Sequence, residues 1–269
     1  MATKMSSTEA GNISMVRSEQ TRTVGRTPIT GILTAIYTWT IISLLTIFFA
    51  TLVVVCSPVA VVLDKRRNML HRIATAWAKS IAFSNPWWSF VIEGIENLPA
   101  DDTPVVYVAN HQSQADIISV YLLSKQFRWL AKDSLFKVPF LGWAMAAAGY
   151  VPVKRGDRRS HIDCMRRSFE HLSAGTSMLF FPEGTRSHDS RLLPFKVGAF
   201  RLAMEAGVPV VPLTLQGASD LLPKGSLIPS NAEVKITVHP QISCSGVTET
   251  ELMQQCRNVI ESGLSNKTT

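Results

Sequence analysis

The chain has 269 residues, a formal net charge of +7 and an apolar fraction of 46%, enough to bury a full core in one domain with an appendage. Its four cysteines, Cys56, Cys164, Cys244 and Cys256, show neither metal-ligand spacing nor a disulfide framework, which excludes a small disulfide scaffold and favours reduced thiols in a cytosol-facing protein. The basic balance suits an anionic lipid surface or a phosphorylated substrate, and without a recognition motif nucleic acid is not an expected partner.

Residues 1–26 are polar, rich in Ser and Thr and without apolar periodicity, and read as a disordered tail. A transit peptide is the alternative, weakened by Glu9 and Glu19. Thr27 to Leu63 then carries no charge at all. This run exceeds the ~20 residues a helix needs to cross a bilayer and is too long for a signal peptide. Arg17, Arg22 and Arg26 precede it, and Asp64, Lys65, Arg66, Arg67 and Arg72 follow. Positive charge on both flanks leaves open a tilted spanning helix or a bent, re-entrant one, with Ser57-Pro58 as the break. Asn68 to Ser84 predicts a helix leading out of it, and Trp87 and Trp88 suit either a membrane interface or a core. Residues 27–88 are thus expected to form a membrane-anchoring helical segment.

From residue 89 onward an α/β domain is expected. Strand-like runs fall at Phe90–Ile92, Val105–Ala109, Phe127–Ala131, Tyr150–Val153, Ser177–Phe181 and Val208–Leu215, and Val234–Val238 alternates as a half-exposed or edge strand would. Helical patterns occupy Ile117 to Leu123, Ser160 to Ser173 and Lys196 to Ala206, and Thr248-x-x-Glu251 opens a last helix. Alternating strands and helices imply a central, largely parallel or mixed sheet covered by helices. Leu135 to Gly149 holds one charge in fifteen residues. It reads as a buried helix, an acyl-groove wall or a membrane-contacting surface.

Asn110-His111-Gln112-Ser113-Gln114-Ala115-Asp116 sits between a strand and a helix. Residues five apart do not share a helix face, so His111 must lie on the turn and Asp116 in the first helical turn if they are to touch. That pairing offers a general base. The competing reading is a capping box, with Ser113 capping the helix and Asp116 reaching back. Pro182-Glu183-Gly184-Thr185-Arg186-Ser187 also leaves a strand. Arg186 and Thr185 suit a phosphate, Gly184 lets amides approach, and Glu183 would orient Arg186 or bond a substrate hydroxyl. Lys132 and Arg155 end strands as further phosphate candidates, whereas Arg158 and Arg159 read as bystanders. His71, His161, His171, His188 and His239 have no evident partners and default to surface roles.

These blocks together resemble the glycerolipid acyltransferase family, typified by 1-acylglycerol-3-phosphate acyltransferases. Asn110-His111 through Asp116 matches the Asn-His-x4-Asp motif. Gly149 to Arg155, Glu183 to Ser187 and Val208 to Pro212 follow in the family's order, within Phe90 to Leu215. The resemblance implies an acyltransferase domain over 89–269, with His111 and Asp116 catalytic and Lys132, Arg155, Glu183, Gly184, Thr185 and Arg186 binding substrate. It implies acyl transfer from acyl-CoA or acyl-carrier protein to the sn-2 hydroxyl of a lysophospholipid, without a cofactor or a metal. The expected partners are membrane lipids, the lysophospholipid acceptor and the acyl donor. The acceptor is expected to be lysophosphatidate, with glycerol-3-phosphate or another lysolipid open. A non-enzymatic protein binding anionic lipids is the reading from another class.

Overall fold

A computed structural model of the chain describes residues 28–100, 103–187, 191–221 and 227–265. The expected N-terminal tail lies outside the described residues. The charge-free run is one helix, α1 (Pro28–Leu63), with Pro58 inside it. At ~1.5 Å per residue it is roughly 54 Å long. Mean hydropathy reaches 2.5 over Ile29–Leu63, long and apolar enough to cross a membrane. Its buried positions include Ala50, Val53 and Ala60, while Ile36, Leu44, Phe48, Leu52 and Val55 are exposed. α2 (Asn68–Ser84) follows and packs back along α1.

The remaining strands and α-helices, in chain order, are β1 (Trp88–Glu93), β2 (Val106–Ala109), α3 (Ala115–Tyr121), β3 (Phe127–Lys132), α4 (Leu141–Ala147), β4 (Val151–Val153), α5 (Arg158–Ser173), β5 (Ser177–Phe180), α6 (Gly198–Ala206), β6 (Val210–Gln216), α7 (Ala218–Leu221), β7 (Ala232–Val238) and α8 (Glu249–Ser265). Local chemistry sets several boundaries. The Asp157 carboxylate accepts the amides of Arg159 and Ser160, starting α5 before the predicted Ser160. A cap of this kind stabilises a helix by ~1 kcal/mol. Thr248 and Glu251 form the predicted capping box at α8, with Thr248 N–H donating to the carboxylate and Glu251 N–H to the hydroxyl.

One seven-stranded sheet runs in the order β1-β7-β6-β2-β5-β3-β4. Pairing is parallel except between β6 and β7. The expected mixed, helix-covered sheet is present. β7 is not an edge strand, because β1 pairs along its outer side. Its alternation follows from burying Val234, Ile236 and Val238 on one face.

β2 and β5 are buried on both faces, as parallel strands between helical layers must be. Tyr107 and Ala109 join a core with Val53, Leu70, Tyr121 and Phe127, beneath α1 to α3. Val106 and Val108 point the other way, into a core with Cys164, Phe200, Leu252 and Ile260 from α5, α6 and α8. α1 and α2 thus share a core with the α/β domain. The parallel set β2-β5-β3-β4 ends on one sheet edge, where open α/β sheets bind ligands.

Candidate active site

The turn after β2 presents His111. Asn110 anchors it, donating from its side-chain amide to the Leu215 carbonyl and accepting the Leu215 N–H, both at 2.8 Å. These bonds continue the β2–β6 ladder through a side chain. His111 Nδ1 lies 2.7 Å from Asp116 Oδ2. Asp116 sits in the first turn of α3, as the spacing requires. Its side chain is fully buried and that of His111 is 16% exposed.

Asp116 Oδ2 also accepts the amides of Gln112 and Ser113 at 2.7 and 2.8 Å. Three N–H groups converge on one oxygen, while Oδ1 is buried without a hydrogen-bond partner among the described residues. Such donors stabilise the carboxylate. They also fix the imidazole with its proton on Nδ1, leaving the Nε2 lone pair free to act as a base. The capping reading is half realised. Asp116 reaches back to Ser113, but Gln114 occupies the cap position and Ser113 Oγ accepts the Ala115 N–H, at 3.3 Å.

The segment after β5 braces this turn. Glu183 Oε1 accepts His111 N–H at 2.7 Å, Glu183 Oε2 accepts Leu193 N–H at 3.0 Å, and Ser187 N–H donates to the His111 carbonyl at 2.9 Å. Glu183 is buried, and both its oxygens serve backbone amides of its own chain rather than Arg186. Burial pushes its carboxyl above the ordinary carboxylate range, and the two amides partly offset the shift. Gly184 takes φ +70°, suiting a residue without a Cβ, and its N–H closes the turn onto the Phe181 carbonyl. Phe181 stacks on His111 with ring centroids 4.2 Å apart.

A cavity of about 600 Å³ opens beside His111. Thr185, Arg186, Lys132 and Arg155 line it with His111, whereas Glu183 and Gly184 do not. Four strand ends therefore bring the imidazole and three cations to one opening. No ion pair engages Lys132, Arg155 or Arg186 among the described residues. The rest of the lining is chiefly apolar. It includes Trp39, Ile42 and Phe49 of α1, Trp77 of α2, Ile118 of α3 and Met145 of α4. The stretch Leu135 to Gly149 is accordingly part wall and part surface, since Leu141, Ala144 and Ala148 face the cavity while Val138 and Trp143 are exposed.

His71 departs from its expected surface role. It is fully buried, with Nδ1 3.1 Å from the Tyr150 hydroxyl and Nε2 3.0 Å from the Lys125 carbonyl. Tyr150 also bonds the Tyr121 hydroxyl, which accepts Trp129 Nε1–H. His239 pairs with Thr214 at 2.8 Å, and His188 lies outside the described residues. Sequence reasoning missed three contributors: the Phe181 stack, the Asn110 clamp and the α1 wall. Phe181 was signalled by its place next to Pro182-Glu183, and Asn110 by preceding the histidine. Only packing reveals the wall.

A model of the acyltransferase family matches residues 89–216. The chloroplastic 1-acyl-sn-glycerol-3-phosphate acyltransferase of Arabidopsis thaliana is 45% identical over 197 residues, covering 72% of this chain and 55% of that protein. The chain carries an acyltransferase-family domain over residues 89–216. Another relative, the chloroplastic 1-acyl-sn-glycerol-3-phosphate acyltransferase of Brassica napus, is 41% identical over 81% of this chain and 63% of its own length. The chain spans less than two thirds of the length of these plant relatives. The crystal structure of the 1-acyl-sn-glycerophosphate acyltransferase PlsC from Thermotoga maritima superposes with a TM-score of 0.72 at 27% identity, over 90% of this chain and 98% of that one. The likeness to PlsC extends beyond the family-model region to most of the chain.

Proposed function

We propose that the chain transfers an acyl group from the thioester of acyl-CoA or acyl-carrier protein to the sn-2 hydroxyl of lysophosphatidate, giving phosphatidate. The observation that carries this reading is the His111–Asp116 pair at an apolar cavity whose mouth also holds Lys132, Arg155 and Arg186. His111 Nε2 removes the hydroxyl proton as the oxygen attacks the thioester carbonyl carbon. The new C–O bond forms, the C–S bond breaks, and the imidazolium returns the proton to the departing thiolate. No acyl-enzyme forms. Asp116 holds the tautomer and stabilises the imidazolium. Lys132, Arg155, Thr185 and Arg186 hold the acceptor phosphate, and the apolar lining takes acyl chain. Glu183 and Gly184 act indirectly, by shaping the turn that carries His111. The names of the relatives support the choice of acceptor.

The apolar α1 fits membrane association. Because α1 also walls the cavity, we read it as lying against the bilayer with its exposed face in lipid. The acceptor then enters without leaving the membrane. The free thiols Cys56, Cys164, Cys244 and Cys256 favour the cytosolic side. The test is incubation of the full chain in vesicles with acyl-CoA and lysophosphatidate, following free thiol and phosphatidate together. Equal release of both supports the reading. Lipid binding with no thiol release would leave a lipid-binding protein instead.

A further inference from the structure

The segment before α4 is folded tightly and yet turns its apolar side chains outward. Val138, Phe140 and Trp143 are 42%, 39% and 54% exposed. The Phe140 and Trp143 rings lie 5.3 Å apart. Phe140 has φ 62° and ψ −61°, and Leu141 N–H donates to the Pro139 carbonyl at 2.7 Å. That is the γ-turn of the strained hand, rare for a residue with a side chain. Gly142 N–H donates to the Val138 carbonyl, and a Cβ at Gly142 would lie 2.2 Å from the Phe136 carbonyl oxygen. Two constraints thus hold a turn whose outer face is exposed among the described residues.

We propose that the Val138–Trp143 turn is a second membrane contact, an aromatic wedge seated at the interface of the bilayer that receives α1. The inference rests on the membrane reading of α1, not on the acyl-transfer chemistry. Continuity favours lipid as the occupant. α4 packs against α1, and Arg67 caps the far end of α4 by donating to the Ala146 and Ala147 carbonyls. The wedge is therefore fixed relative to the exposed apolar face of α1, which includes Phe48, Leu52 and Val55. Trp concentrates at membrane interfaces because its ring is apolar while its N–H still bonds to water or head groups. The exposed Lys137 beside the turn matches an anionic lipid surface and disfavours a second copy carrying the same charge. With α1 as one support and the wedge as another, the domain cannot roll about the α1 axis. The cavity mouth then keeps a constant depth at the head groups.

The test uses the full chain on phosphatidylcholine–phosphatidylglycerol vesicles whose acyl chains are brominated at a shallow or a deep carbon. The difference in fluorescence quenching between wild type and Trp143→Phe isolates Trp143. Shallow bromines should quench it more strongly than deep ones. The double variant Phe140→Ser/Trp143→Ser should raise the apparent KM for vesicle-borne lysophosphatidate several-fold. It should leave turnover of a short-chain, water-soluble acceptor unchanged, since neither residue lines the cavity. An unquenched Trp143 in vesicle-bound protein would overturn the proposal. So would an unchanged KM in the double variant, or a wild-type dimer that Trp143→Ser dissociates. Quenching without turnover of any acceptor would keep the wedge and sink the enzymatic reading.

Discussion

The Glu183 carboxylate accepts the backbone N–H of His111 at 2.7 Å, across the paired ends of β5 and β2. The Glu-Gly-Thr-Arg segment therefore contributes twice. Its arginine lines the cavity, and its acid fixes the backbone of the residue proposed as base.

Glu183→Gln keeps the volume but replaces one accepting oxygen with an amide donor, leaving one of two N–H groups without an acceptor. Such a loss costs roughly 1–3 kcal/mol. Steady-state kinetics should show lower kcat with little change in KM, since Glu183 lies outside the cavity lining. A rise in KM for the acceptor at unchanged kcat would instead place Glu183 on the substrate. The carboxyl is raised by burial, so between the ordinary carboxylate range and its raised value the folded state holds the extra proton. Its contribution to stability thus falls as pH rises through that window. The variant should lose this slope in denaturant titrations.

Asn110→Ala removes both bonds to Leu215. The buried N–H and carbonyl of Leu215 then lose their partners at roughly 1–3 kcal/mol each. Urea unfolding should show a clear drop in midpoint, with activity falling further because His111 is the next residue. Unchanged stability would mean that water replaces the clamp.

His71 should make the fold acid-sensitive. Burial first, and the nearby Arg128 guanidinium second, hold its pKa well below the ordinary histidine value. Below about pH 6.5 the unfolded chain takes up a proton that the folded chain refuses, so stability is lost as pH falls. Thermal unfolding from about pH 7.5 to about pH 5.5 should show this decline, and His71→Gln should flatten it. Equal slopes in the two proteins would assign the decline to other groups.

Arg186→Ala should act on the acceptor. A charge-assisted bond to phosphate contributes about 1.5–3 kcal/mol, so the KM for lysophosphatidate should rise by roughly 10- to 100-fold. Acceptors lacking the phosphate should respond little. Arg155→Ala and Lys132→Ala provide the same comparison. An unaltered KM in any of these variants removes that cation from the phosphate site.

Much of the fold was legible because six strands read as short apolar runs and β7 as an alternating stretch, and all seven fall at those places. The position of β7 was not legible, since a half-buried interior strand and an edge strand share one alternation. The geometry of a His111–Asp116 contact was legible from spacing, because only a turn-to-helix arrangement lets those residues meet, but that they do meet is seen only in the fold. The role of Glu183 did not follow. Its partner, the His111 amide, is seventy-two residues away, and backbone groups leave no mark in a side-chain pattern. The burial of His71 was hidden for a related reason. Its hydroxyl partner Tyr150 comes from the connection before β4, seventy-nine residues on, and the Lys125 carbonyl carries no residue signature. α1 as a wall of the cavity is also a product of packing, since its composition is equally that of a lipid-facing helix.

Release of free thiol from acyl-CoA, measured with and without lysophosphatidate in wild type and His111→Ala, tests the central claim most directly. The account predicts release only when the acceptor is present, with phosphatidate formed in equal amount. It predicts a fall of ~10²–10⁴ in rate for His111→Ala at unchanged vesicle binding. A stoichiometric burst of thiol from the wild type without acceptor, or full turnover by His111→Ala, would contradict it.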